Sequence, residues 1–262
     1  MEYLPISQIQ AMQGLRIVAC ANVPSPWSLA ARALFDYKKL PYVLGEQLVT
    51  KENAELQAWT GQNSAPVVAY RKSDDNPNDN EKLASSAEGI ILLAEKLEPT
   101  LALIPADPEQ RAWMFGLLQS LTGEDGFAWC RRLMSLGNIG QANMRGDILR
   151  MALKYDYSDQ AAAKAGSRAA EILRVFSNTL NQQQAKGSDF LVGSQLSALD
   201  FYFAIFIAVM YKPLPNELLP MPDGMRAGYE LGSDELDAAA DQILFDHRDK
   251  IFAQSLTVPI SY

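Results

Sequence analysis

A proline stands at the entry to one short apolar segment of this 262-residue chain, and that restricts what the segment can become. Residues 67–70 are apolar and rich in β-forming residue types, so the pattern predicts a strand. Pro66 precedes them directly, where a missing backbone N–H does least harm to a sheet. Ser85 and Ser86 then open the apolar run 87–97, which has helical spacing. The sequence therefore predicts a strand followed by a serine-capped helix.

The first 98 residues alternate between predicted strands and helices. Apolar segments predict strands at residues 15–20 and 42–49, and a helix that begins near Ser25 lies between them. Residues 51–60 are expected to form a short helix closed by a glycine. The polar tract 73–81 is expected to be a solvated loop, with a small strand after it. The order β-α-β-α-β-(β)-α predicts a domain with both helices and a sheet over residues 1–98.

From residue 107 onward the pattern is wholly helical, and it predicts an all-α domain over residues 107–262. Asp107 and Pro108 are the residue types favoured at the N-cap and first position of a helix. One face of that helix is predicted to carry Trp113, Leu117 and Leu121. Glycines at positions 123 and 126 are expected to break it before a second helix begins.

Further along the chain, three more helices are predicted, two of them from capping residues. Ser158 is expected to start one, and the spacing of Ser197 and Asp200 is that of a capping box before an apolar helix buried on all sides. Residues 233–252 are predicted to form a final helix. Within it, the segment around the single histidine, His247, is expected to be an exposed and salt-bridged face without a chemical role.

Composition excludes several classes of function. The net charge of −8 leaves no basic stripe for nucleic acid. Two distant cysteines, Cys20 and Cys130, with one histidine argue against a disulfide scaffold and against a metal site. No apolar run reaches the ~20 residues of a membrane span, and the N-terminus has no signal-peptide pattern. We expect a cytoplasmic protein that binds neither nucleic acid nor membrane.

Four short motifs, in order, resemble the glutathione S-transferase superfamily, and the resemblance covers nearly the whole chain. Residues 25–28 (Ser-Pro-Trp-Ser) and 38–42 (Lys-Lys-Leu-Pro-Tyr) are similar to the beginning and end of the family's first helix. Residues 65–67 are similar to its turn with a cis proline. The segment from Ser85 to residue 96 and the capping box at 197–200 are similar to two further family helix starts. The fold this implies is α+β with two domains, thioredoxin-like and then all-helical.

The resemblance also implies a chemistry, which is to lower the pKa of the glutathione thiol. A helix N-terminus favours the thiolate, and Ser25 would add a hydrogen bond to the sulfur, whereas Ser28 is expected to be structural. The implied catalytic residue is Ser25. The implied glutathione-binding residues are Trp27, Gln62, Ala65, Pro66, Ser85 and Ser86. An apolar pocket for the second substrate would use Trp113, Phe115 and Trp129.

The resemblance implies glutathione as co-substrate, a small hydrophobic electrophile, no metal, and a homodimer acting in detoxification. An alternative is a non-catalytic ligand-binding or protein-interaction module of the same fold. Ser85 and Ser64 motivate this alternative, because they stand where family members often have glutamate and lysine. A thiol–disulfide oxidoreductase or dehalogenase-like variant is a third hypothesis, and the absence of cysteine at position 25 argues against its redox form.

Overall fold

The structure, a computed structural model, describes residues 2–72 and 81–262. It divides into two compact units: unit 1 runs up to Ala102 and includes Ser261 and Tyr262, and unit 2 spans Leu103–Ile260. The domain limits 1–98 and 107–262 are retained as a proposal. Most of the loop predicted at residues 73–81 lies outside the described residues.

Unit 1 contains a four-stranded sheet and four helices within its described residues. The strands and helices predicted from the sequence are present with ends shifted by a few residues, and one short N-terminal helix was not predicted. In chain order the elements are α1 (Ile6–Ala11), β1 (Gly14–Cys20), α2 (Pro26–Tyr37), β2 (Tyr42–Gln47), α3 (Ala54–Thr60), β3 (Val67–Arg71), β4 (Lys82–Ala84) and α4 (Ala87–Leu97).

The sheet has the strand order β2-β1-β3-β4. Strand β2 is parallel to β1, β3 is antiparallel to β1, and β4 is antiparallel to β3. Val18 is opposite Val67, and Val68 is opposite Ala84. The carboxyl ends of β1, β2 and β4 and the amino end of β3 therefore lie at one edge of the sheet, here called the upper edge.

Helix α1 is short, yet it belongs to the core of unit 1. Ile6 and Ile9 are buried in a cluster with Val18 and Leu56. Gly45 lets this helix approach the sheet, because a Cβ at that position would lie 2.8 Å from the Ile9 side chain. A helix of six residues gives little periodicity to detect in the sequence, and its stability depends on this packing.

Two buried cations of unit 1 are each paired with a carboxylate. Arg16 of β1 lies 2.6 Å from Glu81 and also donates to two backbone carbonyls. Lys38, just after α2, lies 2.8 Å from Glu95 and donates to the carbonyls of Glu98 and Leu101. A buried charge is tolerated only when it is paired and hydrogen-bonded. The partners of Lys38 lie in and just after α4, so these contacts join the C-terminal ends of α2 and α4.

Unit 2 is helical throughout its regular structure. A short 3₁₀ turn (Gln141–Asn143) lies between its second and third α-helices. The helices are α5 (Pro108–Thr122), α6 (Phe127–Gly137), α7 (Gly146–Lys154), α8 (Asp159–Ala185), α9 (Ala198–Met210), α10 (Asp223–Glu230), α11 (Asp234–Ala238) and α12 (Gln242–Ser255). The predicted caps Asp107 and Ser158 each accept a backbone N–H, at 2.8 and 3.1 Å. No helix in the described ranges combines the length and apolarity that a membrane span requires.

Helix α9 is the buried centre of unit 2, as the sequence predicts. Every one of its residues is buried, and its start is the predicted capping box. Asp200 accepts the Ser197 backbone N–H at 2.8 Å and the Ser197 hydroxyl at 2.7 Å through one oxygen. Its other oxygen accepts the Leu191 N–H at 2.9 Å. These bonds fix the entry to the helix.

Two sequence predictions in unit 2 are wrong. His247 is buried, with Nε2 3.0 Å from Asp200 Oδ1, because α12 packs its apolar face on α9. The segment predicted as one final helix is two, α11 and α12, since Ser233 caps the first and the chain leaves the helix before Asp241. On α5, Leu117 and Leu121 are buried, whereas Trp113, at the start of the same predicted face, is 53% exposed.

Candidate functional site

Three loops of unit 1 meet at the upper edge of the sheet. They are the β1–α2 loop (residues 21–25), the α3–β3 loop (residues 61–66) and the β4–α4 connection (residues 85–86). The sheet topology requires this convergence, because all three loops adjoin strand ends at that edge. The predicted thiolate-stabilising and glutathione-binding residues all lie in these loops or in the first turn of α2.

Ser25 is the N-cap residue of α2, but its hydroxyl does not act as a cap. The Ser25 carbonyl accepts the Leu29 N–H at 2.9 Å, and its N–H donates to the Val23 carbonyl at 2.8 Å. The hydroxyl makes no hydrogen bond within residues 2–72 and 81–262, and the residue is partly exposed. Pro26 occupies the first helical position and fixes the start of α2. The backbone thus begins the helix while the hydroxyl is available to a ligand.

Ser28, one turn along the same helix, differs from Ser25. It is buried, and its hydroxyl accepts the Cys20 N–H at 3.1 Å. That bond ties α2 to the end of β1. The expectation that Ser28 is structural is confirmed.

The Ala65–Pro66 peptide bond is cis, as the resemblance implies. Pro66 is buried and Ala65 is half-buried, directly before β3. Gln62, at the start of the same segment, is exposed. Its N–H donates to Thr60 Oγ1 at 3.2 Å, and its side-chain amide has no partner in the described part of the chain.

Ser85 and Ser86 are both exposed at the start of α4. Ser86 is an ordinary cap, since its hydroxyl oxygen accepts the Gly89 N–H at 3.0 Å. A Cβ at position 89 would lie 3.0 Å from that oxygen, so the glycine allows the close approach. The hydroxyl hydrogen of Ser86 can still donate to a ligand.

The three loops contain no Asp, Glu, Lys or Arg, so their own electrostatic character comes from the backbone. Charged side chains lie nearby: Lys51 and Glu52 in the β2–α3 loop at the same edge, and Glu88 in the first turn of α4. Helices α2 and α4, of 12 and 11 residues, both begin there. A helix N-terminus carries partial positive charge and unsatisfied N–H groups, so this edge suits anionic groups.

Two residues that the sequence interpretation missed hold the α3–β3 loop in place. The Gln47 side-chain amide donates to the Asn63 carbonyl at 3.3 Å, and its oxygen accepts the Cys20 thiol at 3.2 Å. Asn53, which has a positive φ of 50°, donates to the same Asn63 carbonyl at 3.4 Å. Among residues with a side chain, asparagine is one of those that most readily take this backbone conformation, and this was the available sequence signal.

The three aromatic residues predicted for the second substrate lie in unit 2 and do not form one cluster. Trp113 is exposed on α5, and Phe115 is half-buried with the Arg111 guanidinium 5.9 Å from its ring. Trp129 on α6 lines a cleft whose walls include neither of the others. Among residues that the structure describes, no group of three or more His, Cys, Asp and Glu side chains could hold a metal ion.

Comparison with solved structures identifies proteins that share this architecture. A glutathione transferase family member from Pseudomonas fluorescens, with two glutathione molecules bound, is 14% identical, with 97% of this chain and 98% of that chain covered and a TM-score of 0.64. A glutathione transferase from Pseudomonas putida, with glutathione disulfide bound, is 13% identical, with coverage of 96% and 93% and a TM-score of 0.63. A third, from Methylobacterium radiotolerans in complex with glutathione sulfonate, is 16% identical, with coverage of 95% and 97% and a TM-score of 0.59.

Sequence comparison adds nothing to this result. No protein-family model matches the chain, and no curated protein matches it. At the identities of the structural relatives, the likeness establishes architecture alone. The two-unit arrangement, with a mixed sheet followed by a helical unit built on α9, is the fold of the glutathione transferases.

Proposed function

We propose that the chain binds glutathione at the upper edge of the unit 1 sheet and activates its thiol for attack on a small hydrophobic electrophile. The observation that carries this proposal is the uncommitted Ser25 hydroxyl at the N-terminus of α2. In the usual capping role, the hydroxyl oxygen of a serine accepts a hydrogen bond from a backbone N–H of the first helical turn. This one can instead donate to a sulfur anion placed beside it.

The remaining contacts would come from backbone and neutral groups. Ala65 and Pro66 would present main-chain groups to the cysteinyl part of glutathione. Ser85 and Ser86, at the N-terminus of α4, would receive the γ-glutamyl carboxylate. Gln62 would bind the glycine carboxylate with its free amide, and Trp27 would pack against the tripeptide. Neutral donors bind carboxylates less strongly than lysine or arginine does, so we expect modest affinity.

The reaction follows from stabilising the thiolate. The glutathione S–H bond breaks and its proton passes to solvent; the sulfur then forms a bond to the electrophilic carbon, and the leaving group departs with its electron pair. A hydrogen bond to a charged group contributes about 1.5–3 kcal/mol, and a helix terminus about 0.3–1 kcal/mol. Together these lower the thiol pKa by about 1–3 units at 1.36 kcal/mol per unit. More thiolate is then present at neutral pH.

Trp113 and Phe115 on α5 and Trp129 on α6 remain the proposed apolar contacts for the electrophile. A homodimer and a role in detoxification are also proposals that rest on the resemblance, and a cytoplasmic location remains a proposal that rests on the sequence.

A non-catalytic ligand-binding module is the second candidate function. One observation favours it: the glutathione-facing positions Ser64 and Ser85 are neutral and the three loops carry no charged side chain. Such a protein would bind glutathione or a related ligand without lowering the pKa of its thiol.

The test is calorimetric titration of the full chain with glutathione, followed by turnover assays with a panel of aromatic halides and epoxides. We expect binding, and a Ser25→Ala variant with turnover lowered about tenfold or more, as expected for the loss of one oxyanion-type donor. Ser194→Ala, an exposed serine of unit 2, is the matched control. Glutathione binding without any turnover would favour the second candidate, and no binding at all would overturn both.

A further inference from the structure

A second concave site lies wholly within unit 2, where the α5–α6 break and the start of α8 line a common cleft of about 410 Å³. That volume is in the range of small-molecule pockets. Trp129 and Tyr155 both line it, and their ring centroids are 4.7 Å apart with an interplanar angle of 63°. Leu133 and Ala165, both buried, add apolar surface. The cleft can therefore accept the apolar body of a ligand.

Charged side chains also line the cleft, and two of them neutralise each other. Arg168 Nε is 3.2 Å from Asp125 Oδ2, and the same guanidinium reaches Glu171 outside the cleft at 3.1 Å. The other three charged lining residues are exposed and have no hydrogen-bonded or ion-paired side-chain partner in the described ranges; they are Glu124, Asp156 and Lys164. Two carboxylates against one ammonium leave a net charge of −1 for a ligand to meet.

The aromatic wall has the same electrostatic preference. The face of an aromatic ring attracts cations, and the Arg132 guanidinium already lies 5.6 Å from the Tyr155 ring centroid. Trp129 has no such cation over it within the described residues. The indole of Trp129 and the carboxylates of Glu124 and Asp156 are therefore the groups left to recognise a positively charged ligand.

We propose that this cleft is a binding site for a small organic amine with an aromatic or apolar body. The body would pack against Trp129 and Leu133, and the ammonium group would lie toward Glu124 and Asp156. The positive charge of Lys164 repels the ligand's ammonium group, which is therefore expected to lie away from Lys164. The inference uses unit 2 alone and does not require glutathione binding; it shares one residue, Trp129, with the contacts proposed for the electrophile.

The experiment compares three probes that share one body and differ in charge: phenethylamine, 2-phenylethanol and 3-phenylpropionate. Each is titrated into the full chain by calorimetry and by ligand-observed NMR. We expect phenethylamine to bind about threefold or more tighter than the alcohol, and the carboxylate to bind most weakly, since pairing with exposed carboxylates favours the ammonium group modestly. If phenethylamine binds no tighter than the alcohol, or the carboxylate binds best, the proposal is overturned.

Variants that remove either negative or positive charge from the cleft test whether phenethylamine binds there. The double substitution Glu124→Gln with Asp156→Asn should weaken phenethylamine binding about threefold or more, and Lys164→Gln should strengthen it. Glu217→Gln, an exposed substitution of unit 2 outside the cleft, should leave it unchanged. Trp129→Leu should remove the NMR signal of the bound aromatic ring. If the double variant fails to fold, the Lys164→Gln variant alone tests whether charge in the cleft controls phenethylamine affinity. Equal affinities in wild type and in all cleft variants would contradict the assignment.

Discussion

Two helix starts of this molecule look alike in sequence and differ in what their serine does. At the start of α9, the Ser197 backbone N–H and hydroxyl both donate to Asp200, which is fully buried. At the start of α2, the Ser25 hydroxyl has no partner in the described part of the chain and is partly exposed. The Ser197 hydroxyl is therefore committed to its helix start, whereas the Ser25 hydroxyl is available to a ligand.

The largest loss of stability is expected from a substitution at the start of α9. Asp200→Ala removes the acceptor of three hydrogen bonds in the buried entry to α9. It should lower the free energy of unfolding by about 3–5 kcal/mol, because buried donors are left without partners. Chemical denaturation followed by circular dichroism measures this, with the exposed Asp246→Ala as control. A loss no greater than that of the control would contradict the role given to Asp200.

A smaller loss of stability is expected at Ser28, which shares α2 with Ser25. Ser28→Ala leaves the Cys20 N–H unsatisfied in the interior, so unfolding should become easier by about 1–3 kcal/mol. Hydrogen exchange of the Cys20 amide provides a local measurement, and its protection should fall. Unchanged protection would mean that the bond does not hold β1 to α2.

Ser86 lies between the two extremes, because it caps α4 and also faces the candidate site. Ser86→Ala should cost about 1 kcal/mol of stability through the lost cap. It should also raise the glutathione Kd severalfold, because the hydroxyl is one of the few donors at that edge. Thermal unfolding and calorimetric titration separate the two effects. A stability loss with unchanged affinity would make Ser86 a cap only.

The helix starts were predictable because their signals are local. Asp107, Ser158, Ser197 and Ser86 each precede an apolar run with helical spacing, so the cap and the helix reinforce one another in a short segment. The strand with Pro66 at its entry was predictable for the same reason, and sheet topology then brought the candidate site residues to one edge.

The features that escaped prediction depend on contacts distant in sequence. His247 is buried only because α12 packs on α9, and its own segment is rich in charge. Gln47 and Asn53 act on the carbonyl of Asn63, which belongs to another loop. Nor did the sequence show that the Ser25 hydroxyl would remain unpaired, since serine at that position usually caps.

The central claim is that the Ser25 hydroxyl stabilises a thiolate without contributing to the fold. The most direct test is to measure the pKa of the glutathione thiol bound to the full chain, in wild type and in Ser25→Ala. The ultraviolet absorbance of the thiolate, followed as the pH is changed, gives this pKa. We predict a thiol pKa about 1–3 units below that of free glutathione in wild type. In Ser25→Ala it should rise by about one unit or more, with unfolding free energy changed by less than about 0.5 kcal/mol. The same thiol pKa in both proteins would contradict the account.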